Sequence, residues 1–199
     1  MPVRIDYRMI QEHVRQGARV LDLGCGDGTL LAELLEHKDV KGYGIEIDEE
    51  QVRKCISKGL PVYHGDMLEG MGMFADKNFD CVILSHTLQQ TLRPEEAIRE
   101  MLRVGEYGII SFPNFGLWKV RFKLLLTGKM PVTKVLPYSW YDTPNIHLLT
   151  IKDFEKYCAQ RNIQIIDRVF LSSSYRKVPR LVANIMAGIA IYVVKSGNR

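Results

Sequence analysis

The chain has 199 residues, 46% hydrophobic and 25% charged, an average globular usage that excludes disorder and fits one domain. Twenty-seven Lys and Arg against 23 Asp and Glu leave a formal charge of +4, too mild to argue for a dedicated nucleic-acid binder. The longest apolar run, Leu181 to Val194, is broken by Asn184 and falls short of the roughly 20 residues of a membrane span; the N-terminus lacks an apolar core of signal-peptide length, so a cytoplasmic protein without membrane or nucleic-acid partners is expected.

In chain order, Ala18 to Leu23 is an apolar run ending at Gly24, and the leucines between Thr29 and Leu35 recur at helical spacing. Lys41 to Ile47 predicts a second strand, Glu49 to Lys58 a second helix and Pro61 to His64 a short third strand. Phe79 to Ser85 is continuously apolar, as in a strand buried on both faces. Pro94 suits the first turn of the next helix, and Glu95 and Glu96 suit its positive end. Tyr107 to Phe112 is a fifth strand, stopped by Pro113. This alternation predicts an α/β, doubly wound sheet, parallel through its first five strands. Beyond a helix from about Ile151 to Gln160, with Thr150 as N-cap, the rhythm changes. Ile163 to Leu171 and Ala187 to Val194 are strand-like, joined by loop residues with no clear amphipathic helix between them, and read as an antiparallel hairpin closing one sheet edge. Cys25, Cys55, Cys81 and Cys158 have no metal-ligand spacing and read as buried reduced thiols, with no metal site.

The loop Asp22-Leu23-Gly24-Cys25-Gly26-Asp27-Gly28 lies between the first strand and first helix, where open α/β sheets hold ligands. A phosphate-binding P-loop would need Gly-Lys-Ser/Thr, and a dinucleotide fingerprint would place its third glycine one residue later. Asp22 and Asp27 would repel a pyrophosphate and suit a ligand with ammonium and sulfonium groups. Glu46, at the end of the second strand before Ile47, is placed to accept from ribose hydroxyls. After the third strand, Asp66 suits an exocyclic amine of adenine and Met67 its ring.

Val20 to Gly28 (VLDLGCGDG), Glu46 and Gly65-Asp66-Met67 together resemble the class I S-adenosylmethionine-dependent methyltransferases. The resemblance implies a Rossmann-like, mostly parallel seven-stranded sheet with an antiparallel last strand. It also implies S-adenosylmethionine or S-adenosylhomocysteine as ligand, held by Asp22, Gly24, Cys25, Gly26, Gly28, Glu46, Ile47, Asp66 and Met67. A narrower resemblance covers Leu84 to Gln89, Ser111 to Gly116, Gly128 to Lys134 and Leu136 to His147, which are similar to the methionine-biosynthesis MetW family. It departs from that family at His86, where Gln is expected. It implies an accessory role to a MetX-type homoserine O-acyltransferase.

No catalytic residue is specified. His86, after the fourth strand, has the chemistry of a general base or of a strand-end His bonded to a neighbouring loop. Tyr138 and His147 are the other candidates near a methyl acceptor. Residues 1–199 read as a single methyltransferase-like domain, with 113–147 an insertion or cap after the fifth strand. Alternation over 117–123 fits a strand, while Pro113 and Gly116 upstream and the continuous Leu124-Leu125-Leu126 fit a short amphipathic helix equally well, and the segment fits a lid, a partner surface or a cap on its own core. Three functions remain open: an accessory protein sensing S-adenosylmethionine, an active small-molecule methyltransferase, or a scaffold with a vestigial pocket.

Overall fold

The structure, a computed structural model, describes residues 5–133 and 135–197. Along the chain run α1 (Ile5–Glu12), β1 (Arg19–Leu23), α2 (Thr29–Lys38), β2 (Lys41–Glu46), α3 (Glu49–Ser57), β3 (Val62–His64), α4 (Met67–Gly72) and β4 (Phe79–Ser85). A 3-10 turn (Leu88–Gln90) follows, then α5 (Pro94–Val104), β5 (Gly105–Pro113), α6 (Trp118–Thr127), α7 (Ile151–Gln160), β6 (Ile163–Leu171), α8 (Arg180–Met186) and β7 (Ile189–Ser196).

Seven strands form one sheet in the order β3-β2-β1-β4-β5-β7-β6. The first five are mutually parallel, and β7 is antiparallel to both its neighbours, β5 and β6. The expected seven-stranded class I methyltransferase-type sheet is therefore present. The period of two along each strand divides the core. Val82, Leu84, Ile110, Phe112, Tyr192 and Val194 point to the face covered by α5 and α7. Cys81, Ile83, Ile109, Ile191 and Val193 point to the face covered by α1 and α2. A strand sandwiched in this way must be apolar at every position, which is why Phe79 to Ser85 carries no alternation.

Three expectations are refined. The segment from Trp118 is a helix, α6, not a strand. A helix, α8, also stands between β6 and β7, where no amphipathic pattern was apparent. Only Ala183 of its seven residues is buried, so no apolar stripe faces the core to give it away. Helices α1 and α4 were not expected either; they are eight and six residues long, too short to establish a periodicity. Elsewhere boundaries move by a residue or two, and all four cysteines are free and buried as expected.

Candidate functional site

The sheet order reverses between β1 and β4, and the glycine loop sits at the carboxyl end of that switch point. Gly24, Gly26 and Gly28 have φ of 66, 57 and 74°, a left-handed turn that side chains strain. At Gly24 space is limiting too: an added Cβ would lie 2.6 Å from Thr87 Cγ2. At Gly28 it would run into Leu60 and Cys55, so that glycine lets α2 pack against α3.

The loop's amide donors are largely spent inside the protein. Gly24 N and Cys25 N donate to the Ile45 carbonyl at 2.8 and 3.2 Å, and Gly28 N donates to the Cys25 carbonyl at 3.0 Å. Gly26 N donates to Glu46 Oε2 at 2.8 Å. A phosphate-binding loop keeps such groups aimed outward. This one uses them to tie β1 to β2 and to orient a carboxylate.

Glu46 is buried, its Oε1 accepting from Ile47 N (2.8 Å) and Asp48 N (2.9 Å). A carboxylate has about four acceptor positions, so three backbone donors fix its orientation and leave capacity toward a ligand. Asp66 is the N-cap of α4, with Oδ1 accepting from Leu68 N at 2.8 Å. Asp22 is almost fully buried, and burial, with a smaller contribution from Glu46, pushes its carboxyl up to about 7. Asp27 turns away from this group. It accepts from Thr29 N and Oγ1 at the start of α2 and pairs with Lys58 Nζ at 3.0 Å.

Gly24, Glu46, Ile47, Asp66 and Met67 line one cavity of about 330 Å³. Asp22, Cys25, Gly26 and Gly28 lie behind it, holding the loop. Burial pushes the thiols of Cys25 and Cys55 up, and their sulfurs stand 3.9 Å apart. Ile45, Gly65 and Leu68 complete that side of the cavity, and a further wall comes from Thr87, Gln90, Thr91, Leu92 and Arg93, which sequence reasoning missed. They carry no motif; the one available signal is that they follow the strand that abuts β1 at the switch point.

His86 and Tyr138 line a second cavity of about 650 Å³, which meets the first at Gln90. His86 has φ of 56° and is held by Ser111, whose carbonyl accepts the His86 N–H at 2.9 Å. Its Nε2 stands 3.2 Å from Asp6 Oδ2, and the Asp6 side chain is fully buried. Asp6 was also missed, since nothing in the first helix announces a functional acid. Gln89 Nε2 donates to the His86 carbonyl at 2.7 Å, leaving Gln89 Oε1 buried without a hydrogen-bond partner among the described residues. Asn145 joins this cavity. His147 does not: it borders an apolar crevice between α5 and α7. No described helix is long and apolar enough to cross a membrane.

The family described as methionine biosynthesis protein MetW matches residues 4–194. The bifunctional methionine biosynthesis protein MetXA/MetW of Rhodopirellula baltica is 33% identical over 99% of this chain, which spans about a third (33%) of that relative's length. A ubiquinone/menaquinone biosynthesis C-methyltransferase UbiE of Yersinia pseudotuberculosis is 32% identical over 72% of the chain, covering 58% of that protein. Among solved structures, a SAM-dependent methyltransferase from Archaeoglobus fulgidus superposes with a TM-score of 0.72 at 16% identity, over 96% of this chain and 91% of that one. A possible histamine N-methyltransferase from Thermotoga maritima gives 0.68 at 14% identity, over 95% and 86%. With a family match over nearly its whole length and a sheet built as in the S-adenosylmethionine-dependent methyltransferases, this chain belongs to the MetW family of methionine biosynthesis proteins.

Proposed function

We propose that this chain binds S-adenosylmethionine, or its product S-adenosylhomocysteine, in the 330 Å³ cavity and serves as an accessory protein to a MetX-type homoserine O-acyltransferase. The observation that carries the partnership is the relative in which a MetW-like third is joined to MetXA in one polypeptide. Fusion places two proteins at high effective concentration and is useful where they act together. The ligand reading is supported by the chemistry of the donor set. The acids Glu46, Asp66 and Asp22 gather at one strand switch, while four loop amides that would cradle a phosphate are already bonded.

Glu46 would accept from both ribose hydroxyls, Asp66 from the adenine amine, and Ile47 and Met67 would cover the ring. Gly24 lets the backbone approach the ligand. When bound, S-adenosylmethionine supplies an activated methyl group. Because a downstream product of methionine synthesis occupies the cavity, the chain can couple pathway output to its first committed step. Reciprocity requires that any change in partner affinity on ligand binding be matched by an equal change in ligand affinity on partner binding.

The test is homoserine acylation by the cognate acyltransferase, with and without this chain, across a series of S-adenosylmethionine concentrations. A rise in rate with added chain, altered by ligand, is expected; an unchanged rate without co-purification overturns the accessory role.

A second reading, an active small-molecule methyltransferase, draws on the larger cavity beside the first. Its walls carry His86 and Tyr138, side chains with the acid–base chemistry to handle an acceptor's proton. His86→Ala separates the readings: it abolishes methyl transfer under the second and leaves stimulation of acylation intact under the first.

A further inference from the structure

The outer faces of α6 and α8 are apolar and exposed. On α6, Trp118, Phe122, Leu125 and Leu126 recur at i, i+4, i+7 and i+8, a single helical face. They are 43, 54, 79 and 66% exposed, whereas Val120 is the one residue of that helix buried in the core. On α8, Leu181 is fully exposed and Ile185 half-exposed one turn on, with Ala183 alone buried. The segment leading into α6 is tied to the C-terminal end of α8. Asn114, just ahead of α6, donates from Nδ2 to the carbonyls of Asn184 (3.2 Å) and Ala187 (2.8 Å). A Cβ on Gly116 would lie 2.9 Å from the Asn184 carbonyl. Exposed apolar side chains gathered on the faces of two helices tied to one joint are of the kind that marks an interface.

Charge narrows the occupant. Residues 113–141 contain five Lys and Arg and no acid, and residues 168–199 contain six and no acid. A second copy would set one basic surface against another, since a two-fold interface pairs the same patch with itself. The complement is an apolar patch with an acidic rim. In the relative joined to MetXA, the matched region spans 99% of this chain and therefore includes both helices.

We propose that the α6–α8 surface docks a MetX-type homoserine O-acyltransferase through an apolar patch rimmed by acidic side chains, a placement that rests on the accessory reading above. The experiment measures binding of the purified cognate acyltransferase to the full chain and to three variants: Phe122→Asp with Leu125→Asp, Leu181→Asp, and Ile56→Asp on the exposed side of α3 as control. Hydrogen–deuterium exchange on the wild-type complex runs beside it and needs no variant to fold. The expected result is a tenfold or greater loss of affinity for the α6 and α8 variants, none for Ile56→Asp, and protection over 118–127 and 180–186. Wild-type affinity in both α6 and α8 variants, or protection confined elsewhere, overturns this placement while leaving the accessory role standing. If the wild-type chain does not bind the acyltransferase, the accessory role fails and the placement with it. Variants that only disrupt a homodimer, or only release the chain from phosphatidylglycerol vesicles, with acyltransferase affinity unchanged, also overturn it.

Discussion

Asp22 illustrates how a site residue acts without touching the cavity. An unfolded aspartate releases its proton near 3.8, whereas burial in the folded chain holds it to about 7. The folded state therefore binds more protons between these values, and stability falls as pH rises through that window before levelling off above it. A difference of about 3 units corresponds to roughly 4 kcal/mol at most. Asp22→Asn is expected to flatten the dependence of Tm on pH between 5 and 8, measured by calorimetry. Gly24 tests sterics in the same loop. Gly24→Ala combines a left-handed φ of 66° with a 2.6 Å approach to Thr87; it should lower stability by about 1–2 kcal/mol and weaken S-adenosylmethionine binding at least tenfold by isothermal titration. Gly24, Glu46, Ile47, Asp66 and Met67 were legible in the sequence because each sits at a strand end, where position alone implies proximity. Thr87, Leu92 and Asp6 were not, because their places depend on how a loop and a terminal helix close over the sheet.

At the level of elements, legibility followed burial. Helix α5 sends Ile98, Met101 and Leu102 into the core, so its periodicity is printed in the sequence. Helix α8 buries a single alanine and left no such trace. Helix α7 was announced by its cap instead. Thr150 Oγ1 accepts from Asp153 N while Asp153 Oδ2 accepts from Thr150 N at 3.1 Å, the reciprocal arrangement the sequence suggested. Thr150→Ala is expected to cost about 1 kcal/mol in urea denaturation with ligand affinity unchanged. The 3-10 turn after β4 links two regions. Gln90 borders the 330 Å³ cavity, and the Gln89 carbonyl accepts from Ile146 N and His147 N at 2.9 and 3.0 Å. Ligand binding is therefore expected to slow amide exchange at Ile146 and His147, observable by NMR.

For the molecule as a whole, the strand–helix alternation made the parallel half of the sheet legible, and the break in that rhythm after β6 made the antiparallel tail legible although the connection holds α8. What no local pattern conveyed is that β7 threads between β5 and β6 instead of adding to the outside. Six of its eight residues are buried, and it contributes Ile191 and Val193 to one core and Tyr192 and Val194 to the other. A chain ending at Gly188 should accordingly fail to fold cooperatively, lacking a sharp melt by circular dichroism. The order of synthesis then matters. On the ribosome β6 emerges with no strand to pair with and β5 waits with an open edge, so these nine-residue strands stay unsealed until β7 is made. Closure of this half of the sheet is gated by β7, and a nascent chain stalled before it would present two sticky ribbons to whatever holds them apart.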